Sequence, residues 1–326
     1  MPKRPVRYAV VDAFTDEPFK GNSAAVCLLE DVDAAAAAVP WDEQWMQSVA
    51  AEFNTPITAF LVRVGSSAGA ADAGAPSSDA AVAVPQFRIR WFTPVRESEL
   101  CGHGTLAAAH YLIASGIVEC NAIEFLAKSG RLTAKKVTGL KQASTLYSTT
   151  QQTCTTFSIE LDFPAHAVRE CDSSEISSIP DTLNGASVNN VLRTVSASAA
   201  DLIVELSSFE EVVNVRPNIA ELVQCAGRGV AVTGPAREGS GFEFVTRFFS
   251  PKYGLIEDPV CASVHCALAP YWGKKLGKQT MTACMVFIAS PRSGTLYLQW
   301  DEGHEATQRV RIRGEAVTVM VGTVLV

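Results

Sequence analysis

Two short stretches of this sequence place chemically capable side chains in the same order: "SELCGHGTLAA" at Ser98–Ala108 and "EDPVCASVHCA" at Glu257–Ala267. Each sets one cysteine directly ahead of small residues and a helix-forming run. Cys101 keeps company with His103 and Thr105, and Cys261 with Glu257, Asp258, Ser263 and His265. The leads match as well, Phe92-Thr93-Pro94 before the first and Phe249-Ser250-Pro251 before the second. The pattern reads as a weak internal repeat of strand, turn and helix, with a thiol at each turn.

The first backbone N–H groups of a helix lack partners and point off its end. Two helix starts facing one another would therefore make a small electropositive pocket suited to a carboxylate. A thiol at such an end is expected to ionise below its ordinary pKa of about 8.5 and to alkylate readily. One thiolate and one thiol on opposite sides of a carbon acid are what stereoinversion by two bases needs. The backbone N–H groups would then hold the developing enolate. A blander reading stands beside this one, because buried cysteines are ordinarily small hydrophobes. It suits Cys27, Cys225 and Cys284, and would suit Cys101 and Cys261 if they stood alone. His103 and His265 read equally well as caps or core imidazoles, and Asp258 as an acid at a helix start.

The elements that must position these groups are legible in outline. "RYAVVDAF", "NSAAVCLLE", "ITAFLVRV" and "PQFRIRWFTP" read as strands, and Trp41–Phe53 as a helix with Asp42 and Glu43 in its first turn. The second half repeats the mixture, with strands at "FSIELDF", "ADLIVEL", "GVAVTG" and "GFEFVTRFFSP" and a β-rich end. Gly65–Val84, rich in Gly, Ala, Ser and Pro, reads as a surface insertion, and Ala34–Ala38 as padding or a short helix.

The chain has 326 residues, 48% hydrophobic and 19% charged, which accommodates two domains of ordinary globular composition. A net charge of −7 argues against a nucleic-acid surface. No apolar run approaches the roughly 20 residues that span a bilayer, and no secretory signal is read at the start. Nine cysteines, an odd number without a signal, point to free thiols in a reducing, cytoplasmic compartment. No Cys-x-x-Cys pair and no metal, nucleotide or flavin motif appears, so no cofactor is expected.

At these residues a family resemblance enters. "VDAFTDEPFKGNSAAV", "RWFTPVRESELCGHGTLAAAHYL", "RFFSPKYGLIEDPVCASVH" and "SPRSG" resemble the phenazine-biosynthesis PhzF-like family, from the N-terminus to near the end of the chain. The resemblance implies the diaminopimelate-epimerase fold: α+β, two similar domains, each a curled β-sheet around a central helix, with the site in the cleft between them. It implies domains at 1–130 and 131–313, a last strand at 314–326 returning to the first domain, and a homodimer. His103, Asp258 and Ser263 match the family's site histidine, aspartate and serine. Gly102 and Gly104 would supply close-approach backbone, and Asn22, Thr105 and Ala262 further substrate contacts.

Two departures matter. PhzF-like isomerases move the proton with a Glu in the strand after the first helix. Here "EFNTPITAF" keeps the frame through Asn54, Thr58 and Phe60 but sets Ile57 at the Glu position, with Glu52 left at the helix end. Conversely, Cys261 stands where the family usually has Thr. In amino-acid epimerases of the same superfamily both matching positions are cysteine and act as the two bases. A Cys at the Cys101 position also occurs in PhzF-like proteins, so Cys261 is the informative one; Ala262 replaces the Gly that usually follows it. The expected activity is a cofactor-independent racemase or epimerase acting on a small carboxylate metabolite through Cys101 and Cys261. A PhzF-like isomerase using His103 and Asp258 without the thiol pair is the alternative. A third reading is an inactive binding protein on the same fold, with Ile57 and Ala262 as marks of a decayed site.

Overall fold

The computed structural model describes residues 5–29, 42–67, 84–138, 157–172, 182–195, 200–286, 292–303 and 308–325. Ala34–Ala38, Cys154 and most of the Gly65–Val84 segment lie outside them.

The first half begins with β1 (Pro5–Ala13), β2 (Asn22–Leu29), α1 (Glu43–Phe53), β3 (Ile57–Ser67) and β4 (Val84–Phe92). It continues with β5 (Glu97–Ser98), α2 (Gly102–Ala114), β6 (Ala122–Ala127) and β7 (Gly130–Thr138). Then come β8 (Phe157–Pro164), β9 (Val168–Glu170), β10 (Val188–Thr194), β11 (Leu202–Leu206), α3 (Phe209–Asn214) and α4 (Ile219–Leu222). The second half proceeds through β12 (Val230–Pro235), β13 (Phe244–Ser250), β14 (Leu255–Asp258) and α5 (His265–Leu276). It ends with β15 (Thr280–Val286), β16 (Ser293–Trp300), β17 (Arg309–Gly314) and β18 (Ala316–Leu325).

Strand pairing turns the sequence echo into a structural repeat. In the first half β1–β2 is antiparallel, β2–β3 parallel, β3–β4 antiparallel, β4–β6 parallel and β6–β7 antiparallel. The second half runs through the same alternation in β10–β11, β11–β12, β12–β13, β13–β15 and β15–β16. β5 folds back on β4 as β14 does on β13, and the long helices α2 and α5 follow at equivalent places. β8 joins the halves, paired with β7 on one side and β17 on the other. The last strand, β18, pairs with β1.

Each long helix follows from its composition. α2, "GHGTLAAAHYLIA", is apolar all round and buried from Gly102 to Leu112, as a helix enclosed by its sheet must be. α5 carries Pro270, which has no N–H for the carbonyl one turn back. That carbonyl, of Cys266, instead accepts the His166 N–H at 2.9 Å, so the helix passes the proline without a stranded acceptor. α1 starts on Asp42, whose carboxylate accepts the Trp45 N–H, and stops at Asn54 in the left-handed region. That stop brings Pro56 and Ile57, the first residue of β3, to the cavity wall. Among the described residues no helix is long and apolar enough to cross a membrane.

Candidate active site

The two repeated strand–helix junctions meet at one narrow cavity of about 40 Å³. Ile57, Cys101, Gly102 and His103 line it from the first half, and Arg228, Asp258, Cys261, Ala262 and Ser263 from the second. At their closest, a Cβ placed on Gly102 would stand 2.6 Å from the Ala262 Cβ. Only glycine lets the two turns approach that far.

Cys101 caps α2 with extended backbone, and its Sγ accepts the Gly104 N–H at 3.4 Å. Gly104 is itself hemmed in, since a Cβ there would meet Trp91 at 2.9 Å, Ile57 at 3.1 Å and the Cys101 sulfur at 3.3 Å. Thr105 is turned inward: its hydroxyl donates to the Cys101 carbonyl at 2.6 Å, so it tightens the first turn and does not line the cavity. Cys261 enters its helix differently. Tight bonds from His265 N–H to the Ala262 carbonyl and Cys266 N–H to the Ser263 carbonyl precede α5, and Val264 occupies the cap. The backbone N–H groups of Gly102, His103, Ala262 and Ser263 find no acceptor among the described residues.

Behind these walls lies a polar brace. The Asn22 amide donates to Asp258 at 2.6 Å and to the Val260 carbonyl at 3.0 Å, and stands 3.1 Å from His103 Nδ1. His103 Nδ1 is in turn 3.4 Å from the Cys101 sulfur. Asn22 thus ties the two halves together without lining the cavity. Glu257 is committed to Arg247 at 2.7 Å, and His265 is a core imidazole bonded to the Cys261 carbonyl and stacked on Phe244.

The group that sequence reasoning missed is Arg228. Its guanidinium is held by Asp201 through bonds of 3.0 and 2.5 Å, donates to the Ser263 hydroxyl at 2.8 Å, and lies 3.9 Å from the Cys261 sulfur. The available signal was the triplet Gly227-Arg228-Gly229. A Cβ on Gly227 would meet the Ala200 carbonyl at 1.8 Å, and one on Gly229 the Phe249 carbonyl at 2.5 Å. Both glycines let the Arg228 backbone sink between neighbouring strands, where Ser250 anchors its carbonyl at 3.2 Å.

Burial reverses one expectation. A helix start favours a thiolate, but Cys101 and Cys261 are only 8% and 4% exposed. Loss of hydration disfavours a thiolate more than the backbone N–H groups favour it. Burial therefore raises both thiols, Cys261 to about 12 with Arg228 pulling the other way, and neither will stand out as an easily alkylated cysteine. Asp258 is pushed up to about 6 by burial, against the opposing pull of Arg228, the Val260 N–H and Asn22. Burial alone would lower Arg228, but Asp201, Cys261 and Asp258 outweigh it and raise its pKa.

Burial also depresses four imidazoles, His103 to about 3, His110 and His265 to about 4, and His166 in the same direction. In the unfolded chain they take up protons near pH 6.5. Their contribution to stability is complete above that value and is lost as pH falls towards the folded values. Asp258 opposes with one proton, because its raised pKa favours the folded state below pH 6. The imidazoles together outweigh Asp258 by at least two protons, which predicts a stability loss of at least about 3 kcal/mol per pH unit between pH 6 and 5. Urea titrations at pH 7, 6 and 5 measure it; a constant unfolding free energy contradicts it.

The chain belongs to the phenazine biosynthesis-like (PhzF) family, whose family model matches residues 11–322. It is 36% identical over 314 residues to an uncharacterized isomerase of Pseudomonas aeruginosa, covering 96% of each chain. The crystal structure of a PhzF-family protein from Enterococcus faecalis matches with a TM-score of 0.74 at 32% identity, over 99% of this chain and 100% of that one. A hydroxyproline epimerase from Agrobacterium vitis shares the fold alone, with a TM-score of 0.57 at 11% identity over 100% and 92% of the two chains. The architecture is thus the α+β epimerase fold, and the protein is an isomerase.

Proposed function

We propose that this isomerase inverts or relocates a proton beside a carboxylate, with Cys101 and Cys261 as the proton-carrying pair. The observation that carries the reading is that both free thiols line one narrow cavity, each from a different half, beside backbone N–H groups that lack acceptors. The substrate carboxylate would take those N–H groups, setting its α-carbon near the sulfurs. A thiolate disfavoured by burial is a strong base once formed, and Arg228 near Cys261 supplies its counter-charge. Cys101, next to the neutral His103 and not to a cation, is the thiol that returns a proton. The free thiols fit a reducing compartment, where such a pair stays available.

Ile57 occupies the cavity wall where the family resemblance places a proton-carrying Glu, and Glu52 is exposed outside it. A second reading nevertheless has support. Asp258 lines the cavity with a pKa near 6, suited to shuttling a proton at neutral pH, and would do so with His103 as a neutral partner. The test is isotope exchange. The protein is incubated in deuterated water with a panel of α-amino and α-hydroxy acids, followed by NMR and chiral chromatography. Deuterium at the α-carbon with inversion is expected. Deuterium elsewhere in a rearranged product supports Asp258, and no exchange with any compound overturns both.

A further inference from the structure

The cavity that holds the reacting groups is too small for a metabolite. Its roughly 40 Å³ compares with about 10–15 Å³ for one water, which leaves room for a carboxylate and its α-carbon but no longer chain. Small-molecule sites usually enclose roughly 300–1,000 Å³. A second cavity, of about 350 Å³, adjoins it and shares Ser98, Leu100, Arg228, Tyr253 and Ser263 with it. Among the described residues this space is continuous with the thiol cavity and large enough for the substrate's body.

What lines that chamber limits what the body can be. Leu132, Phe163 and Pro164 give it an apolar side, and Arg131 and Arg309 add two guanidinium groups to that of Arg228. Arg131 meets Glu124 through Nη1 at 2.9 Å, and Arg309 meets Asp162 through Nε at 3.0 Å and the Asp162 carbonyl through Nη2. Arg309 is therefore fixed along one edge of its fork and Arg131 by one nitrogen, with further N–H donors of each uncommitted among the described residues. Both side chains are about half exposed, so these ion pairs are weak and can share their cation with an incoming anion. On the acidic side, Asp201 is engaged by Arg228, and Glu99 stands exposed at the rim. His166 is held neutral by burial above all.

We infer that this chamber is the subsite for a second anionic group, so that the substrate is a carbon acid with one carboxylate at the thiols and a further carboxylate or phosphate beyond a short apolar spacer. The inference rests on the carboxylate reading of the thiol cavity. Its test reads binding and not turnover. Butyrate, glutarate and 3-phosphonopropionate are titrated into the full-length protein by calorimetry, then into Arg131→Gln and Arg309→Gln.

The dianions are expected to bind about tenfold more tightly than butyrate, and each variant to remove most of that advantage while leaving butyrate unchanged. The tighter of the two dianions identifies the second group as carboxylate or phosphate. Butyrate binding with no dianion advantage, or an advantage untouched by either variant, overturns the subsite and leaves the carboxylate reading standing. No binding of any of the three overturns both.

Discussion

Cys261→Ser is expected to lower α-proton exchange and inversion by at least about a thousandfold, within the range that a lost acid–base group usually costs. A serine hydroxyl keeps the size and the hydrogen bonding of the site, in which the sulfur stands 3.4 Å from the Ser263 hydroxyl, but its proton is far too tightly held to give up. Cys101→Ser should cost as much, because each stereochemical direction uses one sulfur to remove a proton and the other to deliver one. Unfolding temperatures near wild type would place the loss in chemistry and not in folding. Retention of most of the activity in Cys261→Ser would remove the thiol pair and transfer the proton to Asp258. In that event Asp258→Asn, not the cysteine variants, should abolish turnover.

Arg228→Gln is expected to lower stability and rate together. Asp201 is buried, with its side chain 4% exposed, and Arg228 is its cation. Removing one partner of a buried pair typically costs 3–5 kcal/mol, because the other charge is left without compensation. A fall in unfolding temperature of roughly 4–7 °C follows for a chain of 326 residues. The rate should fall as well, since Cys261 loses the positive charge that makes its thiolate attainable. The double variant Asp201→Asn with Arg228→Gln separates the two effects. Neutralising both partners should restore most of the stability, whereas turnover should stay low. If turnover returns with stability, Arg228 is a structural residue only.

The sequence by itself determined the repeat and the two thiols that it brings to one cavity. Phe92-Thr93-Pro94 with Cys101, and Phe249-Ser250-Pro251 with Cys261, were visible because a strand end followed by a helix start constrains residue type locally. The same pairing alternation in both halves is the structural form of that echo. Gly102 was legible too, since a close backbone approach admits no side chain. The sequence also exposed Ile57 as the departure from the family pattern, and the structure places it in the cavity wall.

Tertiary structure alone decided the electrostatics. Arg228 and Asp201 are 27 residues apart and meet only because β11 and β12 pair in parallel, setting Leu202 opposite Val230. No local pattern encodes that register. The direction of the thiol shifts was likewise beyond local reading, because a helix start acts within one turn whereas hydration depends on everything packed around the sulfur. The sequence named the two thiols, and the packing of the two halves made them buried and weakly acidic, with Arg228, remote in the chain, set beside Cys261.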